Sequence, residues 1–468
     1  MNNINLNSKT WIAILIAFHL VLGLMTVKFR FVSALLAISV LLFGMYYIYR
    51  NKNANGEAHF LAGYIMGAEV YFRMTSSGLP WDFARYAMIP MLILGLVLED
   101  RNREKPWIIL LYFLLMLPAI YLTVDYYMET DFSEIRKRIT FNLFGPLLLT
   151  VSTFYFYKRE FSLKEFETLS RWIIYPIVMT SAYIFLNVGD YTAVEFTYSS
   201  NATSSGGFSG NQVSIVFGLG ILILGINILL GNKVFYSSLI DVGLIVLFTF
   251  QGLMTFSRGG LLTGILALSF GAFVYYFSSI ERFLLFLKVN LLKFVLAGVL
   301  GVSAFMYTNE MTGGFLYARY FNVKEDGYKV KDDVTTGRGD ISVGDLELFI
   351  DRDYVGVGAG VSMKERPVMR DFAAHIEFTR MLAEHGLLGL ISLLIMILFP
   401  FLHFFKVLIK GETLFIFTSL MTVSLISMTH AAMRLTMIGL LYGMAFIYIS
   451  YHTEKKGSSG KIDKNSKV

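Results

Sequence analysis

The sequence predicts an all-α, polytopic membrane protein with 12–14 transmembrane helices and one large loop domain before the last three of them. Hydrophobic residues make up 55% of the 468 residues, the mean hydropathy is +0.60, and only 16% of the residues are charged. Soluble domains carry about 25% charged residues. Repeated apolar runs are also long enough to cross about 30 Å of hydrocarbon. A single helical membrane body therefore fits this composition better than several soluble domains.

Fourteen apolar segments are candidate membrane spans. In chain order they cover 11–27, 31–49, 58–73, 85–99, 106–124, 140–157, 169–188, 212–230, 234–254, 258–278, 283–307, 387–408, 413–430 and 433–451. The segments 58–73 and 85–99 are short, so two of the fourteen are candidates for re-entrant or interfacial helices, which would leave twelve crossings. The first segment is interpreted as a retained anchor, because it ends in Lys28 and Arg30 without a small-residue cleavage site.

The spans divide the chain into an N-terminal transmembrane bundle (1–307), a loop or cap (308–386), C-terminal transmembrane helices (387–452) and a basic tail (453–468). Most short loops rich in Lys and Arg fall on one side of this arrangement. By the positive-inside rule that side is the cytoplasm, so both termini are predicted to be cytoplasmic and the loop 308–386 to face outward. This loop is too long and polar for a simple connection, and we expect it to fold over the membrane domain.

Composition excludes several kinds of chemistry. The chain has no cysteine, which rules out disulfides, thiolate nucleophiles and cysteine-ligated metals. No metal site is predicted, since His375 and His385 are ten residues apart and the sequence lacks a His-Glu-x-x-His pattern.

The net charge of +6 is interpreted as a topology signal and as contact with anionic membrane lipids, with no nucleic acid partner. The basic run Arg136-Lys137-Arg138 breaks the positive-inside pattern and is a candidate headgroup or substrate contact.

The stretch 373–390 concentrates ionisable residues just before an apolar run. As a helix it places Glu377, Arg380 and Glu384 on one face, and Gly386 would mark its end. The two glutamates are supporting candidates that pair with Arg380 and hold the helix rigid.

His375 is the candidate catalytic residue in this stretch. If Asp371 caps the helix, His375 lies in its first turn, where the helix dipole disfavours the imidazolium form. A neutral imidazole is what a general base needs. The alternative is a histidine with satisfied hydrogen bonds where the loop meets the membrane.

Arginines at the outer ends of spans are the candidate anion-binding groups, because an arginine at membrane depth needs a carboxylate, a carbonyl or an anionic ligand. Arg73 can instead pair with Glu69 at i, i+4, and Arg85 can extend to the lipid headgroups. Arg258 has no acidic residue nearby in sequence and begins a helix next to two glycines, which suits an oxyanion. Arg434 follows in the turn between the last two spans.

Several motifs together resemble the O-antigen ligase and O-antigen polymerase superfamily. They are Thr336-Gly-Arg-Gly339, Tyr354-Val-Gly-Val-Gly-Ala-Gly360, the stretch from His375 to Leu390, and, upstream, Gly206–Val213 and Ser257-Arg-Gly-Gly260. The resemblance covers roughly the second half of the chain. It departs from the family at Ile376, where members often have Asn or Ser.

The resemblance implies a metal-independent, inverting glycosyltransferase without a cofactor, embedded in the bacterial inner membrane. Its donor would be a glycan on undecaprenyl diphosphate, and its acceptor a sugar hydroxyl of lipid A-core at the periplasmic face. His375 matches the histidine proposed to activate the acceptor, Arg258 an arginine thought to bind the diphosphate, and Arg338 a loop arginine of the family. With Arg434 and Arg73 these arginines form the predicted donor diphosphate site.

Other functions stay open at this point. A polymerase would add the glycan to another carrier-linked glycan, and a protein O-oligosaccharyltransferase would add it to a serine or threonine. A polysaccharide transporter is the non-enzymatic alternative. Transporters commonly show two corresponding halves with broken helices, and no such repeat is visible in this sequence.

Overall fold

The computed structural model describes residues 8–99, 103–323, 337–352, 354–408 and 410–450. These residues form an α-helical bundle. Its helices are α1 (Lys9–Lys28), α2 (Phe31–Asn51), α3 (Glu57–Met74), α4 (Phe83–Leu98), α5 (Trp107–Leu114), α6 (Ala119–Tyr126), α7 (Phe132–Phe156), α8 (Leu163–Val188), α9 (Gly210–Leu229), α10 (Ser238–Met254), α11 (Arg258–Phe277), α12 (Ile280–Leu285), α13 (Leu291–Met311), α14 (Phe315–Phe321), α15 (Arg338–Asp351), α16 (Ser362–Glu365), α17 (Glu377–Val407), α18 (Glu412–Ser427) and α19 (Thr436–Met444). A π-helical turn, Phe286–Asn290, joins α12 to α13. Two short strands, β1 (Glu160–Phe161) and β2 (Tyr448–Ile449), pair in parallel.

The protein is a multi-pass membrane protein. Within the described residues, nine helical stretches are long and apolar enough to cross a membrane, and α4, α10 and α18 are shorter apolar helices. Each of the fourteen segments predicted from hydropathy overlaps at least one helix. Helices dominate because every backbone polar group inside hydrocarbon must be satisfied within its own segment or in a closed barrel.

Some boundaries differ from the prediction. The span expected at 387–408 belongs to α17, which begins ten residues earlier at Glu377 and contains a break at Gly386. The span expected at 433–451 is shorter, since α19 ends at Met444 and the chain then turns into β2. In the segment 308–386, which hydropathy leaves as a loop, the described residues include three helices, α14, α15 and α16. Helices of 4 to 14 residues are too short to carry a long apolar period for sequence analysis to find.

The break at Gly386 is imposed by a second glycine-bearing segment. Gly386 has φ 60° and ψ −139°, and an added Cβ would lie 2.2 Å from the carbonyl oxygen of Tyr354. The backbone of 354–358 pairs with the helix end, through hydrogen bonds from Leu387 N to Tyr354 O (2.8 Å) and from Gly358 N to Glu384 O (3.0 Å). Only glycine reaches such a conformation at low energy. The sequence prediction that Gly386 ends the first helical segment is therefore confirmed.

Small residues set the position of α11, which carries Arg258 at its start. A Cβ on Gly264 would lie 2.2 Å from the carbonyl oxygen of Gly218 on α9, and one on Gly260 would lie 2.3 Å from Ile215 N. Glycines at these positions let the two helix backbones approach closely. Close packing matters in a membrane, because there the hydrophobic effect does not drive helices together. Ser214 adds a hydrogen bond of 2.8 Å to the Ser257 carbonyl. This packing fixes the first turn of α11 at the end of the bundle where His375 lies.

Candidate functional site

The turn between α18 and α19 holds the segment that carries His375. Ala432 N donates to the His375 carbonyl at 2.9 Å, and Glu377 N donates to the Met428 carbonyl at 2.8 Å. The Arg434 guanidinium donates to the carbonyl of Ala374. Three hydrogen bonds thus attach residues 374–377 to residues 428–434, so His375 and Arg434 lie in one rigid unit.

His375 is a half-buried residue outside the helices. Burial, and then the positive charges of Arg434 and Arg338, lower the pKa of His375 from 6.5 to about 3, while a hydrogen bond to the His430 backbone acts in the opposite direction. Its Nδ1 atom is buried and has no hydrogen-bond partner among the described residues. The imidazole is therefore neutral at physiological pH and keeps an unused nitrogen, as a proton acceptor requires.

The explanation for this low pKa differs from the one predicted. The helix begins at Glu377 with Ile376 at its N-cap position, so His375 precedes the helix and does not lie in its first turn. Asp371 is not the cap, because its carboxylate pairs with Lys364 on the surface. The neutral imidazole results from burial and arginine charges instead of the helix dipole.

Arg338 brings a second positive charge to the His375 segment. It is the first residue of α15, and burial together with the charge of Arg258 lowers its pKa. Arg319 on α14 joins the same group, since burial followed by Arg258 and Arg338 lowers its pKa as well. Arg258 donates to Tyr320 O at 3.3 Å and to Asn322 Oδ1 at 3.2 Å. Three guanidinium groups from three helices thus stand close enough to repel one another, an arrangement that an anion would stabilise.

Arg434 completes the positive side of the site. It is half-buried, and burial, with Arg380 as the next contribution, lowers its pKa to about 10, whereas Glu377 acts in the opposite direction. Arg338 also contributes to that decrease, which places the two arginines near each other. Within the described part of the chain, neither Arg338 nor Arg434 has a carboxylate within 4.0 Å.

Arg73 is placed differently from the other predicted arginines. Its guanidinium forms an ion pair of 2.8 Å with Glu69, which confirms the alternative predicted from the i, i+4 spacing. It also donates to the Arg434 carbonyl at 3.2 Å and to Gln212 Oε1 at 3.0 Å. With its donors used in this way, Arg73 holds the backbone of Arg434 in position. Its direct contact with a diphosphate stays a prediction.

The side chain of Arg85 does not have the predicted orientation. Its side chain is fully buried, pairs with Asp82 at 2.6 Å and donates to the Met433 carbonyl at 2.6 Å. The expectation that it extends to the lipid headgroups is wrong, because the turn before α19 supplies a carbonyl acceptor inside the protein.

Glu377, Arg380 and Glu384 form a buried ionic cluster on α17. Arg380 pairs with both glutamates and donates to Asn142 Oδ1 of α7 at 3.3 Å. Glu377 accepts a 3.3 Å hydrogen bond from Met433 N, and Glu384 accepts one of 3.0 Å from Ser362. The pairing that the spacing predicted is confirmed. The cluster ties α17 to α7, to α16 and to the turn that holds His375.

A cavity of about 310 Å³ lies beside this cluster. Its lining includes Arg434, Arg380, Lys137 and Phe141, with the backbone segment Ala373–Ala374 just before His375. The volume falls in the range of small-ligand sites, about 300–1,000 Å³. A lining with four cations, one of them paired with Glu384, and several apolar side chains suits a phosphate group joined to a hydrocarbon chain or a sugar.

The structure therefore brings together His375, Arg338 and Arg434, and connects Arg338 to Arg258. It also adds His430, a residue to which the sequence analysis assigned no role. Its Nε2 atom is buried without a hydrogen-bond partner among the described residues, and a Cβ on Gly259 would lie 2.9 Å from its ring. In the sequence, His430 is marked only by its position four residues before Arg434. The fold alone shows that the turn between α18 and α19, which contains His430, meets the start of α11.

No group of three or more metal-ligating side chains is found in the described ranges of the chain. Comparison with protein-family models, with curated proteins and with solved structures finds no match to this chain.

Proposed function

We propose that this protein is an O-antigen ligase-like glycosyltransferase, which transfers a glycan from undecaprenyl diphosphate to a sugar hydroxyl of lipid A-core. The observation that carries the proposal is the meeting of a neutral imidazole, His375, with the guanidinium groups of Arg338 and Arg434 at one end of a membrane bundle. A proton acceptor next to two guanidinium groups fits a reaction in which a hydroxyl attacks and a diphosphate leaves.

The proposed step is a direct displacement at the anomeric carbon. His375 accepts the proton of the acceptor hydroxyl while its oxygen forms a bond to that carbon. The bond between the anomeric carbon and the diphosphate oxygen breaks, and its electron pair leaves with the carrier diphosphate. Arg338 and Arg434 stabilise the negative charge that develops there, with Arg258 as the third cation of the group. Configuration at the anomeric carbon inverts, and no metal is needed to neutralise the leaving group.

The electrostatics of the free site couple binding of the donor to activation of the base. Arg434 and Arg338 help to hold the pKa of His375 near 3, which makes the imidazole a weak base before the donor binds. A diphosphate bound between these arginines would offset their charge and raise the pKa of His375 toward its usual value of about 6.5. A stronger base would then be present only when the donor is in place, which limits unproductive reactions.

The membrane arrangement that this function requires is part of the proposal. The 12–14 crossings would place both termini in the cytoplasm and the His375 end at the periplasmic face of the bacterial inner membrane. Residues 308–386 would form the loop domain over the site. The lipid tail of the carrier would lie between helices, because a long isoprenoid chain is soluble only there.

Transfer by purified protein tests the proposal. In liposomes that contain undecaprenyl-diphosphate-linked glycan and lipid A-core, wild-type protein should form glycan-capped lipid A-core. His375→Ala should lower the rate by about 10²–10⁴-fold, as expected for loss of a general base. Arg338→Ala should also lower it, because the leaving group loses a cation.

Two controls separate chemistry from folding. Arg352→Ala removes an arginine of the same loop whose side chain is 53% exposed and pairs with Glu365, and it should leave transfer unchanged. Thermal unfolding of His375→Ala should match that of the wild type. Transfer that survives His375→Ala would contradict the assigned base. A lengthened carrier-linked glycan in place of capped lipid A-core would identify a polymerase, and a glycosylated protein an oligosaccharyltransferase.

A further inference from the structure

We propose that a groove beside the start of α7 binds the sugar portion of the substrate. This inference rests on the proposed function and adds to it a place for the glycan, separate from the arginines that meet the diphosphate. The groove has a volume of about 370 Å³ and lies between the α3–α4 turn with the first turn of α4 and the N-terminal part of α7.

Two aromatic side chains form the apolar part of the groove. Trp81 is 49% exposed and Tyr86 is 43% exposed. Trp81 is held in place by the guanidinium of Arg73, 4.8 Å from its ring centre, and by the ring of Phe208 at 6.0 Å. Tyr86 packs edge-on against Phe144 at 5.4 Å. Rigid, partly exposed rings offer flat apolar surface at little entropic cost, which suits the C–H face of a pyranose ring.

Hydroxyl and charged groups complete the groove. Ser133 and Thr140 present hydroxyls on α7, each able to accept a further hydrogen bond from a sugar hydroxyl. The acidic lining residues already have partners, Asp82 with Arg85 at 2.6 Å and Glu134 with Arg138 at 2.7 Å. Arg136 is exposed and has no carboxylate within 4.0 Å in the described part of the chain. Because both acids pair with arginines that do not line the groove, the cation of Arg136 stays available in it, which favours a saccharide that carries a carboxylate over a neutral one.

The position of the groove connects it to the reactive site. Lys137 lines both the groove and the 310 Å³ cavity that contains Arg434. Trp81 lines both the groove and a third cavity, of about 240 Å³, that contains Arg73. A glycan whose first sugar is held near Arg434 would thus extend directly over the aromatic rings. This assigns a role to the basic run Arg136-Lys137-Arg138, which departs from the positive-inside pattern.

Binding of soluble saccharides tests the subsite without carrier lipid or turnover. The probes are tetragalacturonate, which is acidic, and maltotetraose, which is neutral. The chain has four tryptophans, so a variant with Trp11, Trp107 and Trp172 changed to Phe reports only on Trp81. Its fluorescence should change in a saturable way with tetragalacturonate, and at higher concentrations with maltotetraose.

Calorimetric titration of single variants supplies the decisive comparison. Trp81→Ala and Tyr86→Ala should each weaken binding of both saccharides by at least about tenfold. Arg136→Glu should weaken binding of tetragalacturonate selectively. The matched controls are Trp107→Ala and Tyr121→Ala, whose rings are 64% and 74% exposed and lie outside the groove, and neither should change the dissociation constants.

Each alternative outcome overturns the subsite. Absence of a saturable response, or equal effects of Trp81→Ala and Trp107→Ala, would make Trp81 an aromatic anchor at the membrane interface. Saccharide binding that survives Trp81→Ala and Tyr86→Ala would place the glycan elsewhere. Failure of the proposed function looks different, because then liposome transfer is absent while Trp81 still responds to saccharide.

Discussion

At the residue scale, the protonation state of His375 is set by its surroundings. Burial and two arginine charges keep the imidazole neutral, and the carbonyls of Ala374 and His375 accept hydrogen bonds from Arg434 and Ala432. Arg434 therefore both lowers the pKa of His375 and holds the segment that carries His375 in place. A single substitution at Arg434 would change both, whereas Arg338 changes only the charge, so Arg338 is the cleaner probe of electrostatics.

The pH dependence of transfer should reflect this shifted histidine. With a pKa of about 3, His375 stays unprotonated in the free enzyme from neutral pH down to about pH 4. Because kcat/KM reports ionisations of the free enzyme, its profile should show no acid limb with a midpoint near 6.5. The measurement is kcat/KM for the carrier-linked donor between about pH 4.5 and about pH 8.

The same profile for Arg338→Gln is the matched comparison. Loss of one neighbouring cation should raise the pKa of His375 and move the acid limb to higher pH than in the wild type, while burial, the larger cause of the low pKa, remains. An acid limb near 6.5 in the wild type would mean that His375 is solvated in the working enzyme and that the arginines do not control it.

At the element scale, the site depends on contacts that bring one glycine-rich segment against the break in α17. Gly356 and Gly386 meet each other, since a Cβ on Gly356 would lie 2.6 Å from Gly386 N. Beyond the break, α17 continues as an apolar helix to Val407, and before it the short segment carries the buried cluster around Arg380. The break lets a membrane helix end in a polar turn that faces α7 and α15.

Gly386→Ala should therefore destabilise the protein. The positive φ alone costs a residue with a Cβ about 1–3 kcal/mol, and the new methyl would lie 2.2 Å from the Tyr354 carbonyl oxygen. Unfolding of the detergent-solubilised variant should show a lower midpoint. Gly298→Ala on α13 is the control, because nothing lies within 4 Å of the added Cβ and alanine favours a helix. Equal unfolding midpoints for Gly386→Ala and Gly298→Ala would show that the break in α17 does not require glycine.

Sequence reasoning succeeded where one local property decided the outcome. Each span predicted from hydropathy overlaps a helix, although α14, α15 and α16 were missed, and the i, i+3 and i, i+4 spacings gave the pairs of Arg380 with Glu377 and Glu384. It was less successful where distant segments meet. Nothing near Asp371 in sequence reveals that the helix starts six residues later, where Glu377 N bonds to Met428 O. The role of His430 likewise depends on its packing against Gly259, 171 positions earlier in the chain.

At the scale of the whole molecule, the bundle has two ends with different polar content. The end with His375 collects Arg258, Arg338 and Arg434, which come from three separate parts of the chain. The opposite end holds loops such as 230–237, between α9 and α10. The first end groups these arginines next to a cavity, so the proposed reaction needs this end to face the compartment in which donor and acceptor meet.

Labelling of introduced cysteines tests that orientation. The chain contains no cysteine, so a single substitution gives a label without background. Thr130 is exposed at the His375 end, and Lys233 is exposed at the other end. In intact spheroplasts, a membrane-impermeant maleimide should label Thr130→Cys, and it should reach Lys233→Cys only after permeabilisation. Labelling of both in the denatured protein is the control for reactivity.

The reverse pattern would contradict more than the topology. If Lys233→Cys were labelled in intact spheroplasts and Thr130→Cys were not, His375 and the arginines would face the cytosol. A donor held in the outer leaflet could not then place its diphosphate among these arginines, because crossing the hydrocarbon core with that charge is far too costly. The bundle, the low pKa of His375 and the saccharide groove would all remain, but they would have to serve a reaction or a transport step that begins at the inner face.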